Sequence, residues 1–444
     1  METIAQISTP LGSGGIAIIR MSGDKAKDIA FELFYSKNLT KENIEPRKLY
    51  LGKFKINEDA EERCMMVYFK APFSFTGEDV VEFQIHGGEF LAAKILDKLV
   101  LAGCRLAENG EFSKRAFMNG KMSLDEAEAT IDMINATSDA EIKASSLLAD
   151  GKLKKQIVEI QNKIKDCLVN LEVALDYPEH DDEEMSIKDV ENVLISSREI
   201  LNNLLRTAKT GEQIKFGINV SIVGKPNVGK SSLLNCLLGE DRAIVTDVKG
   251  TTRDILKETI SYKGFKINFI DTAGIRESDD VVEKIGVDRS LNAIKNSDIV
   301  LCVFDASEPL DDEDNKLLNL VKDKNVIYVL NKTDKKIVTK IDDAVYVCAN
   351  ENKNIDEIKD RIIEMARLNK IDFSQVYLTN KRHIEIIKTA IDLTNNAIGV
   401  AKTGTADLVD LETKRVWLEL GKITGESATD DILTAIFSKF CLGK

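Results

Sequence analysis

The chain has 444 residues, of which 43% are hydrophobic and 30% charged, and its formal net charge at pH 7 is −13. This length suggests about three domains, and the composition is that of a globular protein, with no apolar run long enough to span a membrane. The acidic charge argues against a broad basic surface for nucleic acid, so any contact with RNA should be local or shared with a partner.

The seven cysteines are scattered, and they form neither a C-x-x-C pair nor a spacing typical of metal ligands. Such thiols are typical of a reduced, cytosolic protein. The amino terminus has neither a basic segment nor an apolar signal core. We therefore predict a cytoplasmic protein that has no membrane partner.

Glycine-rich and alternating apolar segments dominate the first part of the chain. Residues 14–20, 64–69 and 80–85 have the pattern of strands, and residues 90–101 have that of a helix. We predict an α+β domain over residues 1–119.

A helical pattern follows this domain and returns near the end of the chain. One series of apolar residues recurs at the period of a single helix face; it consists of Ile157, Ile160, Ile164, Leu168, Leu171 and Leu175. We predict an all-helical domain in two segments, residues 120–215 and 371–444, with a further domain, residues 216–370, inserted between them.

The inserted domain alternates short apolar runs with helical stretches, which predicts a mostly parallel α/β sheet. Residues 298–304 and 325–330 have the pattern of strands. Residues 253–260 and 265–270 flank Lys263-Gly264 as the two arms of a hairpin.

The stretch Gly224–Ser231 of this domain fits the phosphate-binding pattern G-x-x-x-x-G-K-[ST]. A predicted strand, 218–223, precedes it and a predicted helix, 232–238, follows it, which is the context that such a loop requires. We expect the loop N–H groups to hold phosphates, Lys230 to reach the terminal phosphates, and the Ser231 hydroxyl to bind Mg²⁺. A chance glycine turn is the alternative, and three further motifs in the right order make it negligible.

Two of these motifs face the reacting phosphate. Asp271-Thr272-Ala273-Gly274 follows a strand, and we expect Asp271 behind the Mg²⁺ and the Gly274 amide at the γ-phosphate. Gly250-Thr251-Thr252-Arg253-Asp254 lies where a first switch loop belongs, with Thr252 as the second protein ligand of Mg²⁺.

The third motif, Asn331-Lys332-Thr333-Asp334, predicts guanine recognition. The Asp334 carboxylate can accept both N–H donors on the edge of guanine, a pattern that adenine lacks. Cys348-Ala349-Asn350 occupies the place where GTPases usually carry Ser-Ala-Lys. The predicted GTP-binding residues are Asn227, Val228, Gly229, Lys230, Ser231, Ser232, Thr246, Asp247, Val248, Lys249, Gly250, Thr251, Thr252, Asp271, Thr272, Ala273, Gly274, Asn331, Lys332 and Asp334, and Lys230 is also predicted to be catalytic.

Two positions depart from a generic GTPase. Many GTPases place a glutamine directly after D-T-A-G to orient the attacking water, whereas Ile275 is apolar and cannot do so. Asn227 can supply an amide oxygen that, with switch carbonyls, holds a monovalent cation beside the phosphates. A simple loop hydrogen bond explains Asn227 equally well.

The inserted domain resembles Era-like bacterial GTPases, and the flanking segments resemble one family, the tRNA modification GTPases called MnmE or TrmE. The motifs that carry this resemblance are Thr9–Arg20, Ser74–Asp79 with Glu82, His86–Gly88, Gly110–Phe117 and the C-terminal Phe437–Lys444. They cover essentially the whole chain in the right order. Leu442 stands where isoleucine is commoner in the family, which is a mild departure.

The resemblance implies a folate-binding N-terminal domain that dimerises, a discontinuous helical domain and an inserted Ras-like P-loop GTPase domain. It implies a homodimer that joins an FAD-dependent partner, MnmG (GidA), in a heterotetramer, with FAD only on the partner. The implied reaction adds an aminomethyl-type (carboxymethylaminomethyl) group to C5 of the wobble uridine of certain tRNAs, coupled to potassium-dependent GTP hydrolysis. The one-carbon unit would come from 5,10-methylenetetrahydrofolate or 5-formyltetrahydrofolate.

The resemblance also implies roles for single residues. The family's folate site corresponds to Arg20, Glu82, Lys121 and Lys444; its potassium site corresponds to Asn227, Thr246, Val248 and Thr251, with backbone carbonyls acting at Thr246 and Val248. Glu283 corresponds to the acid that positions the attacking water, and Cys441 to a candidate nucleophile.

Simpler explanations exist for some of these residues. A carboxylate at Glu82 suits the amidine-like edge of a pterin, and the cations at Arg20 and Lys121 suit an anionic cofactor, but each could equally form a surface ion pair. Glu283 could be a solvated helix residue. Cys441, close in sequence to two phenylalanines, is at least as well explained as a buried apolar cysteine.

Two other classes of function stay open at this point. One is an Era-like switch in ribosome assembly, which would need an RNA-binding module such as a basic G-x-x-G segment after the GTPase domain; the acidic, helical C-terminus does not supply one. The other is a scaffold whose interactions depend on the bound nucleotide.

Overall fold

The structure is a computed structural model, and it describes residues 2–10, 12–176, 183–239, 258–270 and 293–443. It divides into two compact units. The first unit comprises residues 1–131, 149–193 and 396–444, and the second comprises residues 132–148 and 194–395. Within the described ranges, no helix is both long enough and apolar enough to cross a membrane.

The secondary structure follows the predicted succession of elements. The strands are β1 (Ile4–Ile7), β2 (Ile16–Ser22), β3 (Phe34–Tyr35), β4 (Leu49–Lys55), β5 (Glu61–Phe69), β6 (Val80–His86), β7 (Arg105–Leu106), β8 (Ile218–Val223), β9 (Glu258–Tyr262), β10 (Phe265–Ile270), β11 (Ile299–Asp305), β12 (Val326–Asn331) and β13 (Val345–Tyr346). The helices are α1 (Ala26–Leu33), α2 (Glu89–Leu101), α3 (Glu111–Met118), α4 (Leu124–Ile134), α5 (Asp139–Ala149), α6 (Lys152–Asp176), α7 (Glu183–Arg206), α8 (Ala208–Phe216), α9 (Lys230–Leu238), α10 (Asp312–Val321), α11 (Ile355–Met365), α12 (Lys381–Thr403), α13 (Ala406–Thr424) and α14 (Asp430–Phe437).

A mixed sheet forms the amino-terminal part of the first unit. Its strand order is β3-β4-β5-β6-β2-β1-β7, and neighbouring strands are antiparallel except for the parallel pair β1–β7. Successive strand residues point to opposite faces of a sheet, so Ile19 and Met21 of β2 reach the same core as Phe83 of β6. Helices α1 and α2 contribute Ile29 and Ile95 to that core.

Helices complete the first unit. Helix α6 packs against α13, and the predicted apolar face of α6 is buried from Ile157 to Leu171, with Leu175 half-buried. At the end of the chain, Phe437 of α14 and Phe440 pack into a small cluster with Leu124. This cluster anchors the C-terminal segment on α4.

A six-stranded sheet forms the centre of the second unit, counted over the part of the chain that the structure describes. Its order is β13-β12-β11-β8-β10-β9; the hairpin β9–β10 is antiparallel and the other neighbours are parallel. All seven residues of β11 are buried, as expected for a parallel strand covered on both faces.

The core of the second unit extends beyond the residues of the sheet and its crossover helices. Ala140 and Ala144 of α5 and Ile214 of α8 belong to the same apolar cluster as Leu233 and Phe269. Helix α5 is also tied to the β9–β10 hairpin, because the Ala140 N–H donates to the Gly264 carbonyl over 3.0 Å.

The predicted fold class is confirmed. An α+β sheet domain, a mostly parallel α/β sheet, and helices on both sides of that α/β segment in sequence are all present. The predicted strands at 218–223, 298–304 and 325–330 appear as β8, β11 and β12, and the hairpin turns at Lys263-Gly264. Helix α9 begins at Lys230, two residues before the predicted start.

Candidate functional site

The phosphate loop, Gly224–Ser231, connects β8 to α9 in the second unit, and two glycines determine how closely it packs. A Cβ at Gly224 would collide with the Val303 carbonyl oxygen of the neighbouring strand β11. Gly229 has a positive φ of 96°, and a Cβ there would collide with the Asn331 amide. Residues that carry a side chain rarely adopt that backbone conformation. Glycine is therefore required at both positions for the phosphate loop to lie against β11 and the base loop, Asn331–Asp334.

The ammonium group of Lys230 lies inside the loop. Its Nζ donates to the carbonyl oxygens of Gly224 over 2.9 Å and of Lys225 over 2.6 Å. Burial lowers the pKa of Lys230, because a charged group loses hydration there. The Lys230 ammonium is therefore held inside the loop by two of its carbonyls.

Asn331, at the end of β12, joins three loops. Its Nδ2 donates to the Val228 carbonyl of the phosphate loop over 2.9 Å, and its Oδ1 accepts from the Ala349 N–H over 3.1 Å. The residue is 2% exposed, so both hydrogen bonds are made away from water. The predicted base loop, the phosphate loop and the Cys348-Ala349-Asn350 stretch therefore meet at one side chain.

Lys332 adds a second link between the base loop and the phosphate loop. Its Nζ donates to the Asn227 carbonyl over 2.7 Å and pairs with Asp305 at 2.7 Å. Burial acts to raise the pKa of Asp305, but hydrogen bonds from Lys332 and Ser307 outweigh it and the pKa is lowered. The Asp305 carboxylate therefore stays charged at neutral pH.

Two thiols support the base loop, and sequence reasoning gave them no role. The Cys348 thiol donates to Oδ1 of Asp334 over 3.3 Å, and the Cys236 thiol of α9 donates to the Ala349 carbonyl over 2.9 Å. The predicted guanine-binding carboxylate is thus held from behind by a buried thiol. The position of Cys348 in place of the usual serine was the available signal.

Several predicted residues lie outside the described residues. They are Thr246, Asp247, Val248, Lys249, Gly250, Thr251, Thr252, Asp271, Thr272, Ala273, Gly274, Glu283 and Lys444, together with Ile275. Among the predicted nucleotide ligands that are described, Ser231 and Ser232 follow Lys230 in the first turn of α9.

A second group of predicted residues lies in the first unit. Arg20 of β2 and Glu82 of β6 are directly paired across the two strands, and the Arg20 Nε donates to Oε1 of Glu82 over 2.7 Å. The Arg20 guanidinium lies over the rings of Phe75 and Phe112, 5.4 and 5.7 Å from their centroids. Cation–π contacts of this kind hold a guanidinium in one orientation.

Lys121 follows α3, is exposed, and runs beside Gly77. A cavity of about 420 Å³ opens here. It is lined by Asp24, Ala71, Gly77, Glu78, Asp79 and Asn119.

The two ends of the chain meet in the first unit. The Ser8 hydroxyl donates to the Gly443 carbonyl over 3.0 Å, and the Asn109 amide reaches the Ser438 carbonyl at 3.5 Å. Cys441 is exposed, so the explanation of Cys441 as a buried apolar cysteine is wrong. The phenylalanines beside it fill the cluster around Leu124 and leave the thiol in solvent.

Comparison with known proteins agrees with this architecture. A sequence model of the MnmE helical domain matches residues 124–441, and one of the GTP-binding protein TrmE N-terminus matches residues 3–121. The tRNA modification GTPase MnmE of Streptococcus thermophilus (strain CNRZ 1066) is 43% identical over 451 residues, covering 100% of this chain and 98% of the relative. That of Streptococcus sanguinis (strain SK36) is 42% identical over 453 residues, covering 100% and 99%.

The chain belongs to the MnmE family of tRNA modification GTPases. The resemblance that the flanking motifs indicated is thereby confirmed. Among solved structures, the G domain of FeoB from T. maritima is 26% identical and covers 34% of this chain and 98% of that one, with a TM-score of 0.25. A TM-score of this size does not establish a shared fold.

The MnmE family assignment places the two groups of residues in different parts of one chain. Arg20, Glu82 and Lys121 fall within the TrmE N-terminal match. The phosphate loop and base loop fall between the helical segments that the MnmE helical-domain match encloses. Among the described residues, no cluster of three or more His, Cys, Asp or Glu side chains is arranged to bind a metal ion.

Proposed function

We propose that the chain is a potassium-dependent GTPase that acts with an FAD-dependent partner, MnmG (GidA), on tRNA. Together they would add an aminomethyl-type (carboxymethylaminomethyl) group to C5 of the wobble uridine, using a tetrahydrofolate one-carbon unit. The observation that carries the GTPase proposal is the direct contact of the base loop with the phosphate loop, through Asn331 to Val228 and Lys332 to Asn227. Phosphate and base recognition are thus joined in one structural unit.

The phosphate loop supplies a preformed cation and a helix terminus. When a nucleotide binds, its terminal phosphates would replace the carbonyls of Gly224 and Lys225 as the hydrogen-bond acceptors of the Lys230 ammonium. The N-terminus of α9 adds N–H donors that favour an anion. The Lys230 ammonium and the α9 N–H groups are in place before the reaction. Because they need not reorganise, they can stabilise the negative charge that is redistributed in the transition state of phosphoryl transfer.

A hydroxyl at Ser231, in the first turn of α9, is the hard oxygen ligand that suits Mg²⁺. When bound, Mg²⁺ would neutralise the developing phosphate charge. Thr252 and Asp271 would complete its environment, and Glu283 would position the attacking water in place of the glutamine that Ile275 replaces.

Asn227 is the described member of the proposed potassium site. It is exposed and has a positive φ of 64°, while its carbonyl is occupied by Lys332. Its side-chain oxygen therefore is the group available to a cation, with Thr246, Val248 and Thr251 as the remaining ligands. Facing GTPase domains in a homodimer would close this site.

The proposed folate site uses Arg20, Glu82, Lys121 and Lys444. Oε1 of Glu82 accepts from Arg20, and no described residue donates to its Oε2, which would be available to the N–H edge of a pterin. The exposed ammonium of Lys121 suits the glutamate tail of a folate. The Gly443 carbonyl accepts from the Ser8 hydroxyl of the same unit, and this contact supports including Lys444 in the proposed site. When bound, the folate would supply the one-carbon unit.

The proposed division of labour follows the predicted domains. Residues 1–119 would bind folate and dimerise, residues 120–215 and 371–444 would form the helical domain, and residues 216–370 would hydrolyse GTP. The FAD stays on the partner in this proposal, and the tRNA is shared between both proteins.

Mass spectrometry of tRNA wobble nucleosides tests the whole proposal. A strain that lacks the gene should lose the C5-modified uridine, and the wild-type chain should restore it. A chain with Lys230→Ala should not restore it, whereas the matched exposed substitution Lys335→Ala should. Full modification in the deletion strain would refute the assignment to tRNA modification.

A comparison of salts tests the potassium site separately. Phosphate release should be faster in KCl than in NaCl, and Asn227→Ala should abolish the difference. Asn235→Ala, an exposed asparagine on α9, is the matched control and should keep it. Equal wild-type rates in the two salts would remove potassium from the proposal and leave the GTPase assignment in place.

A further inference from the structure

Lys225 is a residue of the phosphate loop to which the motif assigns no role, because it occupies one of the variable positions. Its Nζ lies 2.6 Å from Oδ2 of Asp311 and 2.8 Å from Oδ2 of Asp314. The lysine side chain is 19% exposed, and that of Asp314 is 5% exposed. The loop is therefore linked through a side chain to the start of α10, a helix that the motif does not include.

The two carboxylates are already held in place before they meet the lysine. Asp311 is the N-cap of α10 and accepts from the N–H groups of Glu313 and Asp314, while Asp314 accepts from the N–H of Asp311 over 3.1 Å. This reciprocal arrangement is a capping box, which rigidly orients both side chains. The start of α10 thus presents two fixed acceptors to the phosphate loop.

The link stays charged at neutral pH. The hydrogen bond from Lys225, followed by the one from the Asp314 backbone, lowers the pKa of Asp311 to about 2. The hydrogen bonds that Lys225 donates to Asp311 and Asp314 raise the pKa of Lys225. Both groups are ionised across the range in which nucleotides are bound and hydrolysed.

The backbone of Lys225 contacts Lys230, the predicted catalytic lysine. Its carbonyl oxygen accepts from Lys230 Nζ over 2.6 Å, beside the Gly224 carbonyl. The same residue therefore fixes its side chain on α10 and presents its carbonyl to the lysine that is proposed to bind phosphate. Fixing the side chain limits where that carbonyl, and with it the ammonium of Lys230, can move.

We propose that Lys225 is a positioning residue for phosphate binding, acting through its ion pairs with Asp311 and Asp314. The pairs hold the first half of the phosphate loop in its binding conformation in the empty protein, so less ordering is left to be done when the nucleotide arrives. The inference rests on the proposed GTPase function and names a part of that site which lies outside its sequence motifs.

An ordinary surface ion pair is the simpler explanation, and such pairs contribute little. Three features favour a positioning role instead. The lysine has two acceptors, both acceptors are fixed by a helix cap, and Asp314 is nearly buried, with its Oδ1 without a hydrogen-bond partner in the described part of the chain. Removing Lys225 would therefore leave a buried carboxylate without its counter-charge.

The test measures nucleotide affinity and turnover on the full chain. Lys225→Met should weaken Mg²⁺–GDP binding by about tenfold, equivalent to about 1.4 kcal/mol, and raise KM for GTP while kcat at saturating GTP is unchanged. Lys225→Arg keeps the charge and should restore the affinity. Lys316→Met, an exposed lysine on α10, is the matched control and should bind GDP like the wild type.

A double variant separates positioning from stability. Lys225→Met alone can destabilise the chain by leaving the buried Asp314 charge without a counter-charge. Adding Asp314→Asn removes that charge, and the amide oxygen can still accept from the Asp311 N–H. The double variant should fold and still bind GDP about tenfold more weakly.

Two results would overturn the inference. One is wild-type affinity in the double variant, and the other is a loss in Lys225→Arg as large as that in Lys225→Met. In both cases a wild-type chain that binds GDP leaves the proposed GTPase function standing. A wild-type chain that binds no guanine nucleotide would overturn the proposed function, and this inference with it.

Discussion

The phosphate loop and the Arg20–Glu82 pair arrange their charges in different ways. At the phosphate loop, the ammonium group of Lys230 is held by two backbone carbonyls of the loop itself. In the first unit, the Arg20 guanidinium is held by a side chain from another strand and by two aromatic rings. One site is organised by local backbone conformation and the other by the pairing of distant strands.

This difference determines what a ligand must displace. At Lys230, the charged oxygens of an entering phosphate replace two neutral carbonyls as hydrogen-bond acceptors. The charged acceptors interact more strongly with the ammonium, which favours binding. A ligand that approaches Arg20 competes with a carboxylate already paired to it, and it gains most by using Glu82 as well. We expect nucleotide binding to depend on single residues and the proposed folate site to depend on a pair.

The largest effect is expected for the base-reading carboxylate. Asp334→Asn turns one acceptor into a donor, so the variant should prefer xanthine to guanine nucleotides, with a change in the preference ratio on the order of 10⁴-fold. Competition between GDP and XDP measures the ratio. Asp342→Asn, an exposed aspartate outside the motif, should leave it unchanged; an unaltered ratio in Asp334→Asn would place base recognition elsewhere.

Lys230→Ala should reduce GTP hydrolysis by about 10²- to 10³-fold, because a preformed donor to the developing charge is lost. Phosphate release measures the effect, with Lys335→Ala as the control. Substantial hydrolysis by the variant would show that the loop cation is dispensable.

The same variant makes a prediction about pH and stability. Burial lowers the pKa of Lys230 below its unfolded value of 10.5, so the unfolded chain binds more protons between the two values and the wild type gains stability as pH rises through that interval. Lys230→Ala removes this gain. The difference in free energy of unfolding, wild type minus variant, should therefore increase toward pH 10; a constant difference would contradict the buried, charged lysine.

A smaller effect is expected at the paired site. Glu82→Ala, and separately deletion of residues 441–444, should weaken binding of 5-formyltetrahydrofolate by roughly 1.5–3 kcal/mol, since each removes a charge-assisted contact. Potassium-stimulated GTP hydrolysis should be retained, because no nucleotide motif is touched. Calorimetric titration beside a phosphate-release assay compares the two activities, with the exposed Glu58→Ala as control. Unchanged folate affinity in both variants would place the folate site elsewhere.

The smallest effect is expected at the thiol behind Asp334. Cys348→Ala removes the hydrogen bond to Oδ1 and should lower GDP affinity by a few-fold, since such a bond contributes about 0.5–1.5 kcal/mol. Cys348→Ser keeps a donor and should bind as the wild type does. Equal affinities for all three chains would show that the carboxylate needs no support.

The sequence predicts regions that depend on local backbone conformation better than regions that depend on contacts between distant residues. The phosphate loop and the base loop are recognisable because glycines and a lysine recur at short, local spacings that their backbone geometry requires. Strands β11 and β12 are apolar except for their last residues, Asp305 and Asn331, and β8 is apolar except for Asn219 and Ser221, so their existence was also predictable. Strands β7 and β13 have two residues each, and no sequence period exists over so short a length.

Contacts between distant residues were not predictable from residue patterns. Arg20 and Glu82 are paired by strand register, and only the family resemblance had placed them together. The link from Lys225 to Asp311 spans 86 positions, and no motif includes both. The phenylalanines close to Cys441 in sequence suggest a core position for its thiol, but Phe437 and Phe440 are buried in the apolar cluster and Cys441 is exposed.

The packing of α5 against the β9–β10 hairpin has a practical consequence for isolating the GTPase. A fragment limited to residues 216–370 would lack Ala140, Ala144 and Ile214, and would expose to water the apolar surface that they cover in the common core. It would also lack Glu141, which forms an ion pair with Lys266 at 2.9 Å. Excision at the motif boundaries should therefore yield a poorly soluble protein, whereas a fragment that carries α5 and α8 with the sheet should retain a closed core.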